Sequence, residues 1–219
     1  MPIPLRPLIR TAAFLSATMA ATPAYVHPHV FAEARLEIDV DKAGTVTALK
    51  HVWRFDDVFS STVLMEFDKN ADLKLDESEL KTVSDTIYDS LAEFGYFQIV
   101  TLNGKDVAMQ RPAKLIATFE HNQLTVLFQS HPQKPLKLSG KVDFGVYDPT
   151  FYTAIDFLED DQMAVMGMPA GCSRSVIRPD PDEAIAQNQG SLTDEFFNDP
   201  TGTDLSKIFA TRLELTCQG

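Results

Sequence analysis

The sequence predicts an α+β fold, a β-rich, sandwich-like domain with an inserted helix–loop–helix segment at about residues 55–94. Three observations carry this. Apolar residues alternate at period two along many short stretches. The period lengthens to that of a helix between about residues 55 and 94. Turn residues punctuate the strand candidates at short intervals. The 219 residues suit one domain carrying an insertion, and 44% hydrophobic residues exclude global disorder.

The chain opens on a segment of different character. Arg6 and Arg10 precede the apolar, small-residue run 11–21, and Thr22-Pro-Ala-Tyr-Val26 follows. A basic start, a short apolar stretch and a small-residue exit read as a secretory signal peptide over 1–26, cut after Ala24 or Val26. The apolar stretch is shorter than the ~20 residues a bilayer-spanning helix needs. The expectation is a periplasmic protein, not membrane-spanning after processing, with 27–219 as a single β-rich domain. Processing removes two Arg and no acid, moving the formal charge from −12 to −14.

The first strand candidate, Phe31–Val40, carries Leu36, Ile38 and Val40 in alternation. Asp41-Lys-Ala-Gly44 turns the chain, and Thr45–Arg54 returns as the second arm of a hairpin. The helical span shows Phe59, Val63 and Phe67 on one face, then Val83, Ile87, Leu91 and Phe94 on another. Strands resume at Tyr96–Leu102, Lys114–Phe119 and Gln123–Gln129, with Asn103-Gly104 and His121-Asn122 as turns. Leu136–Val146, Phe151–Phe157, Met163–Met168, Ser175–Ile177 and Phe209–Leu215 complete the set, and Pro179-Asp-Pro-Asp-Glu opens a short helix or a loop. Two cysteines in an exported chain are expected to pair. A Cys172–Cys217 bridge would contribute up to ~4 kcal/mol by constraining the unfolded chain.

Within the helical span, Asp68–Glu79 follows the order of a twelve-residue calcium loop of EF-hand type. Asp68, Asn70 and Asp72 fill positions one, three and five, and Lys74 offers its backbone carbonyl at seven. Leu75 is the apolar plug at eight, Asp76 the ligand at nine and Glu79 the bidentate carboxylate at twelve. A hard cation taking six to eight oxygens asks for this alternation, because odd-numbered side chains turn inward as the loop wraps. Position six, where the backbone is left-handed and glycine is usual, is Leu73, at a cost of about 1–2 kcal/mol. The expected affinity for Ca²⁺ is therefore in the ~10⁻⁴–10⁻³ M range of extracellular modules.

His27 and His29 lie where the mature chain is predicted to begin. A terminus at Tyr25 supplies an amine, two ionisable amides and the His27 imidazole, a square-planar set suited to Cu²⁺ or Ni²⁺. A terminus at His27 excludes that set, because Pro28 has no amide proton. The amine and imidazole of His27 would chelate instead, with His29 as a third nitrogen ligand. Either arrangement suits Ni²⁺, Co²⁺, Zn²⁺ or Cu²⁺ better than calcium. His51, His121 and His131 are scattered and read as surface or hydrogen-bonded histidines.

The acidic balance argues against nucleic acid as a partner. No G-x-S-x-G, H-E-x-x-H, C-x-x-C or glycine-rich phosphate loop is present, so no enzyme is predicted. The acids at Phe157-Leu-Glu-Asp-Asp161 read as a solvated turn.

Three short motifs bring a family into view: His27-Pro-His-Val-Phe31, Trp53-Arg-Phe-Asp-Asp57 and Tyr147-Asp-Pro-Thr-Phe-Tyr152. In this order, after a signal peptide, they resemble an uncharacterised exported bacterial family. It is commonly labelled the periplasmic component of an uncharacterised ABC-type transport system and is often linked to nickel/cobalt efflux permeases. The resemblance covers essentially the whole mature chain, departing at Val26, where alanine is usual, and at Leu73. It implies a membrane metal transporter or permease as partner. The function expected is that of a periplasmic metal-binding accessory protein of transition-metal transport carrying one calcium-type loop. The alternative is a non-enzymatic structural or docking module that binds calcium alone.

Overall fold

The computed structural model describes residues 28–190 and 204–218. The predicted signal peptide and His27 lie outside them. Along the chain, β1 (Val30–Val40) and β2 (Thr45–Phe55) are followed by helices α1 (Asp57–Phe67) and α2 (Glu77–Ser90). Next come β3 (Gln98–Leu102), β4 (Lys105–Asp106), β5 (Leu115–Glu120), β6 (Gln123–Ser130), β7 (Leu136–Lys137) and β8 (Gly140–Val146). Strands β9 (Thr153–Asp156), β10 (Met163–Met166) and β11 (Cys172–Ile177), helix α3 (Pro181–Asn188) and β12 (Arg212–Cys217) complete the described chain.

Two sheets form. The first runs β10-β1-β2-β6-β5, with β7 on β2 and β9 on β1; the second runs β11-β12-β8-β3-β4. The β1–β2 hairpin pairs Ala32 with Phe55 through to Val40 with Val46. Its turn is held by Asp41, whose Oδ1 accepts from the amides of Ala43 and Thr45, both at 2.9 Å. The outer edge of β1 takes two short parallel strands, β9 against residues 30–33 and β10 against residues 36–39. Parallel partners cannot be joined by a tight turn, so their placement depends on the long excursion through the second sheet. In that sheet Cys172 and Cys217 are register partners on β11 and β12, and a disulfide joins them as expected. No helix among the described residues is long and apolar enough to cross a membrane.

The predicted α+β class with an inserted EF-hand-like helix–loop–helix unit is corrected. Strand makes up 42% of the structure and helix 26%, so the protein is mainly β, with two sheets and few helices. The physical reason lies in how the helices of the 55–94 span are bound. Ser60 of α1 accepts from the Leu124 amide of β6, and Ser84 of α2 accepts from the Ala117 amide of β5, each at 2.9 Å. Strand β5 is the edge of its sheet. Edge amides left bare are a liability, and covering them with a helix is one remedy. Both helices are thus a cover bonded to the first sheet.

The second helix also stops earlier than its apolar period suggests. Gly95, Tyr96 and Phe97 follow it with φ of 59°, 58° and 57°. For Tyr96 and Phe97 this left-handed backbone costs about 1–2 kcal/mol each. Burial of both side chains holds it, with the Tyr96 hydroxyl accepting from Arg111 Nε and the Phe97 carbonyl accepting from the Tyr147 amide.

One continuous core takes side chains from both sheets and from the two covering helices. On β2 the inward positions are Leu49, His51, Trp53 and Phe55. His51 is therefore neither a surface nor a hydrogen-bonded histidine. Its ring stacks on Phe128 at 4.4 Å, is 1% exposed, and neither ring nitrogen has a hydrogen-bond partner among the described residues. Burial pushes its pKa down to about 3; Gln98 opposes that shift, but its amide oxygen is engaged by Ser130.

Candidate functional site

The acidic loop spans the gap between α1 and α2, and each end is set by a cap. The Asp68 amide closes α1 onto the Leu64 carbonyl. Asp76 opens α2 by accepting from the amides of Ser78 and Glu79 at 2.8 and 2.9 Å, and Glu79 returns the bond through the Asp76 amide at 2.9 Å. This reciprocal cap satisfies two otherwise orphaned donors. The Glu79 amide and the Ser78 hydroxyl hold the Asp76 carboxyl below the usual carboxylate range.

Between the caps the side chains fold onto the loop's own backbone. Asp68 accepts from the amides of Asp72 and Leu73 at 3.2 and 2.8 Å, and Asn70 accepts from Asp72 at 2.8 Å. Asp72 accepts from Lys74 at 2.9 Å. The turns are made at Ala71 and Leu73, with φ of 59° and 63°. Leu73 is 78% exposed, whereas Leu75, the predicted plug, is buried.

Glu79 is the residue with the most to say chemically. It is 6% exposed, its Oε1 accepts from the Lys69 amide at 2.7 Å, and its Oε2 accepts from Asp76. Its carboxylate therefore ties the start of the loop to its end. Among the described residues no Lys or Arg forms an ion pair with it. A buried carboxylate with spare lone pairs and no countercharge suits a hard cation. Lys69 points elsewhere, its Nζ donating to the Glu66 carbonyl at 2.6 Å. As they stand, the loop carboxylates are spread along the chain. No group of three His, Cys, Asp or Glu side chains among the described residues is close enough to hold a metal ion.

Of the histidine pair, His27 lies outside the described residues. His29 is exposed at the entry to β1, its amide donating to the Tyr152 carbonyl at 2.9 Å and its ring 5.1 Å from the Tyr152 ring. His121 sits in the β5–β6 turn, and the His131 Nδ1 lies 2.7 Å from the Thr47 carbonyl.

A second feature is spatial and has no trace in any one segment. The three short motifs quoted above are bonded to one another. The amides of His29 and Val30 donate to Tyr152, the Asp56 amide donates to the Phe31 carbonyl, and the Phe31 amide donates to Asp56 Oδ2 at 2.8 Å. Asp56 also caps α1 through Val58 and Phe59. Burial raises its pKa, but the amides of Phe59, Phe31 and Val58 outweigh that and hold the carboxyl low. Asp148 organises the third motif by accepting from the amides of Thr150 and Thr153, both at 2.8 Å. The alternation of β2 was a usable signal for the inward Trp53 and Phe55; the meeting of the three segments was not readable.

Over residues 12–217 the chain matches the family described as "Protein of unknown function (DUF1007)". It is also similar to an "Uncharacterized 15.5 kDa protein in trpE 3'region" of Spirochaeta aurantia, with 26% identity over 129 residues. That stretch covers 58% of this chain and 91% of the relative.

Proposed function

This chain belongs to the DUF1007 family, a family of unknown function, and from its own geometry we propose that it is an exported, non-enzymatic cation-binding accessory protein. The carrying observation is Glu79, a buried carboxylate with no ion-pair partner among the described residues, which joins both ends of a loop holding Asp68, Asn70, Asp72 and Asp76. Those residues, with the Lys74 carbonyl, would hold Ca²⁺, which would supply positive charge beside the buried Glu79 carboxylate. The donor set is all oxygen, as calcium prefers, and the buried Leu75 fits the plug position. Against tight binding stands the left-handed backbone at Leu73.

The transport role rests on the residue resemblance and on the histidines at the predicted mature terminus. His27 and His29 would receive Ni²⁺, Co²⁺, Zn²⁺ or Cu²⁺ in the periplasm and present it to a membrane metal transporter or permease. A second reading, a docking module that binds calcium alone, is favoured by the loop's attachment. Leu75 belongs to the core and Glu79 is a buried residue of α2, which bonds to the first sheet through Ser84, so a cation there would brace the fold.

Native mass spectrometry of the exported protein separates the two readings, because one spectrum gives the processed mass and the bound ions. The transport reading predicts one calcium plus one transition metal, the latter lost when His27→Ala and His29→Ala are combined. Calcium alone supports the docking reading. A protein that carries no ion in buffer containing calcium and nickel contradicts both.

A further inference from the structure

The second sheet ends on two outer strands, β4 with two residues and β11 with six. The hydrogen-bond ladder fixes which backbone groups of β11 are used. Cys172 and Cys217 are register partners, and one step outside them the Gln218 amide donates to the Gly171 carbonyl at 3.0 Å. Bonded pairs alternate along an antiparallel ladder. Ser173, Ser175 and Ile177 therefore bond to β12, while Arg174 and Val176 turn their amides and carbonyls away from it. The Asn103 amide, donating to the Lys141 carbonyl at 2.7 Å, sets the same alternation from the far side, through β8 and β12. Among the described residues no other backbone group meets Arg174 or Val176.

Bare edges are commonly blunted by a lysine, a proline, a bulge or a covering helix, as α2 covers β5. Strand β11 shows none of these among the described residues. Its six residues pair with β12 without a break, and Ser173, Arg174 and Ser175 are exposed. Its one charge is turned into the molecule, the Arg174 guanidinium donating to the Asp160 and Met163 carbonyls at 2.7 and 2.9 Å. The open groups are self-complementary. A two-fold axis at Ser175 sets Arg174 opposite Val176 of a second copy, and Val176 opposite its Arg174. That register closes four N–H···O bonds and puts no two arginines directly opposite. Exposed apolar side chains match at the ends. Met168 stands by the start of β11, where the Cys172 amide donates to the Pro169 carbonyl, and Leu158 by its end, where Arg178 donates to the Phe157 carbonyl. The two-fold brings Met168 of one copy toward Leu158 of the other, at both ends. A foreign strand supplies backbone bonds but not this reciprocal match.

We propose that β11 is a homodimer interface, joining the second sheets of two copies into one continuous antiparallel sheet. This goes beyond the cation-binding reading, and the pairing needs no ion in the acidic loop.

Analytical ultracentrifugation of the exported protein, from about 5 to about 500 µM, tests it. A monomer–dimer equilibrium is expected with Kd of about 10–100 µM, since four hydrogen bonds and a short apolar rim make a small interface. Val176→Pro removes two of the four bonds and spares the β12 ladder, because the Val176 amide faces away from it. It weakens the dimer at least about tenfold. Ser175 meets its own copy at the axis, so Ser175→Lys or Ser175→Glu alone sets like charges opposite each other. Each weakens the dimer about two- to fivefold, and an equimolar mixture of the two restores it as a heterodimer. Should Val176→Pro fail to fold, the Ser175 pair decides alone. A chain still monomeric at about 500 µM overturns the proposal, and with it the choice of a second copy over a strand of another protein. So does a dimer that both Ser175 variants leave unchanged, or a mixture of them that shows no recovery.

Discussion

His51 shows how a single side chain sets a stability profile. It lies between Leu36 and Phe128 in the register of the first sheet, with no partner for either ring nitrogen among the described residues. Burial lowers its pKa to about 3 from an ordinary 6.5. The sign follows from which state binds the proton. Between those two values the unfolded chain is protonated at this site and the folded chain is not. Stability is therefore complete above pH 6.5 and falls with pH below it, by about 1.4 kcal/mol per unit. At pH 5 the expected loss is about 2 kcal/mol relative to pH 7.5. Urea unfolding at the two pH values measures it. His51→Leu should flatten the difference, and a variant that keeps the full slope contradicts the assignment. Asp56 acts in a lower window: its depressed pKa adds stability that is lost only as the carboxylate titrates, below about pH 4. The inward position of His51 was legible, since it shares the alternation of Leu49, Trp53 and Phe55. A polar side chain at that inward position interrupts the apolar alternation that marks the core face.

At the scale of elements, local periodicity and capping chemistry were readable, whereas attachment was not. The β1–β2 hairpin follows from alternation on both arms and from the Asp41 turn. Helix starts follow from Asp56 and Asp76, short acids whose side chains accept from the amides two and three residues on. Nothing in a 3.6 period says which strand a helix will cover. The serines Ser60 and Ser84 decide this. Each is buried, and Ser84 donates to its own helix at the Leu80 carbonyl while accepting from β5. Ser84→Ala leaves the Ala117 amide unmet and is expected to cost about 1–3 kcal/mol. Ser60→Ala does the same to Leu124. Equilibrium unfolding compared with Ser61→Ala, on the exposed face of α1, checks it: equal stability of the buried and exposed variants would show that the helices are not held this way. The end of α2 departs from its apolar period for a related reason. Phe94 keeps the apolar period, but Gly95 admits a left-handed turn that tertiary burial of Tyr96 and Phe97 then stabilises.

Over the whole molecule, the features that matter depend on pairs far apart in the chain. Parallel strands β9 and β10 join β1 after more than a hundred intervening residues, and the Cys172–Cys217 bridge fixes β11 to the last strand. The three motifs around Val30, Trp53 and Tyr152 meet only because β9 closes on β1. The acidic loop is the opposite case, a local sequence of acceptors readable residue by residue, whose buried Glu79 the structure adds. Its proposed role is tested most directly by calorimetric titration of the full chain with Ca²⁺, alongside Glu79→Gln. A single-site isotherm is expected, with Kd of about 10⁻⁴–10⁻³ M. Its affinity should fall at least about tenfold in Glu79→Gln, while that variant stays folded. An absence of binding heat and of any change in melting temperature up to about 10 mM Ca²⁺, some ten times the weakest dissociation constant expected, contradicts a cation site in this loop.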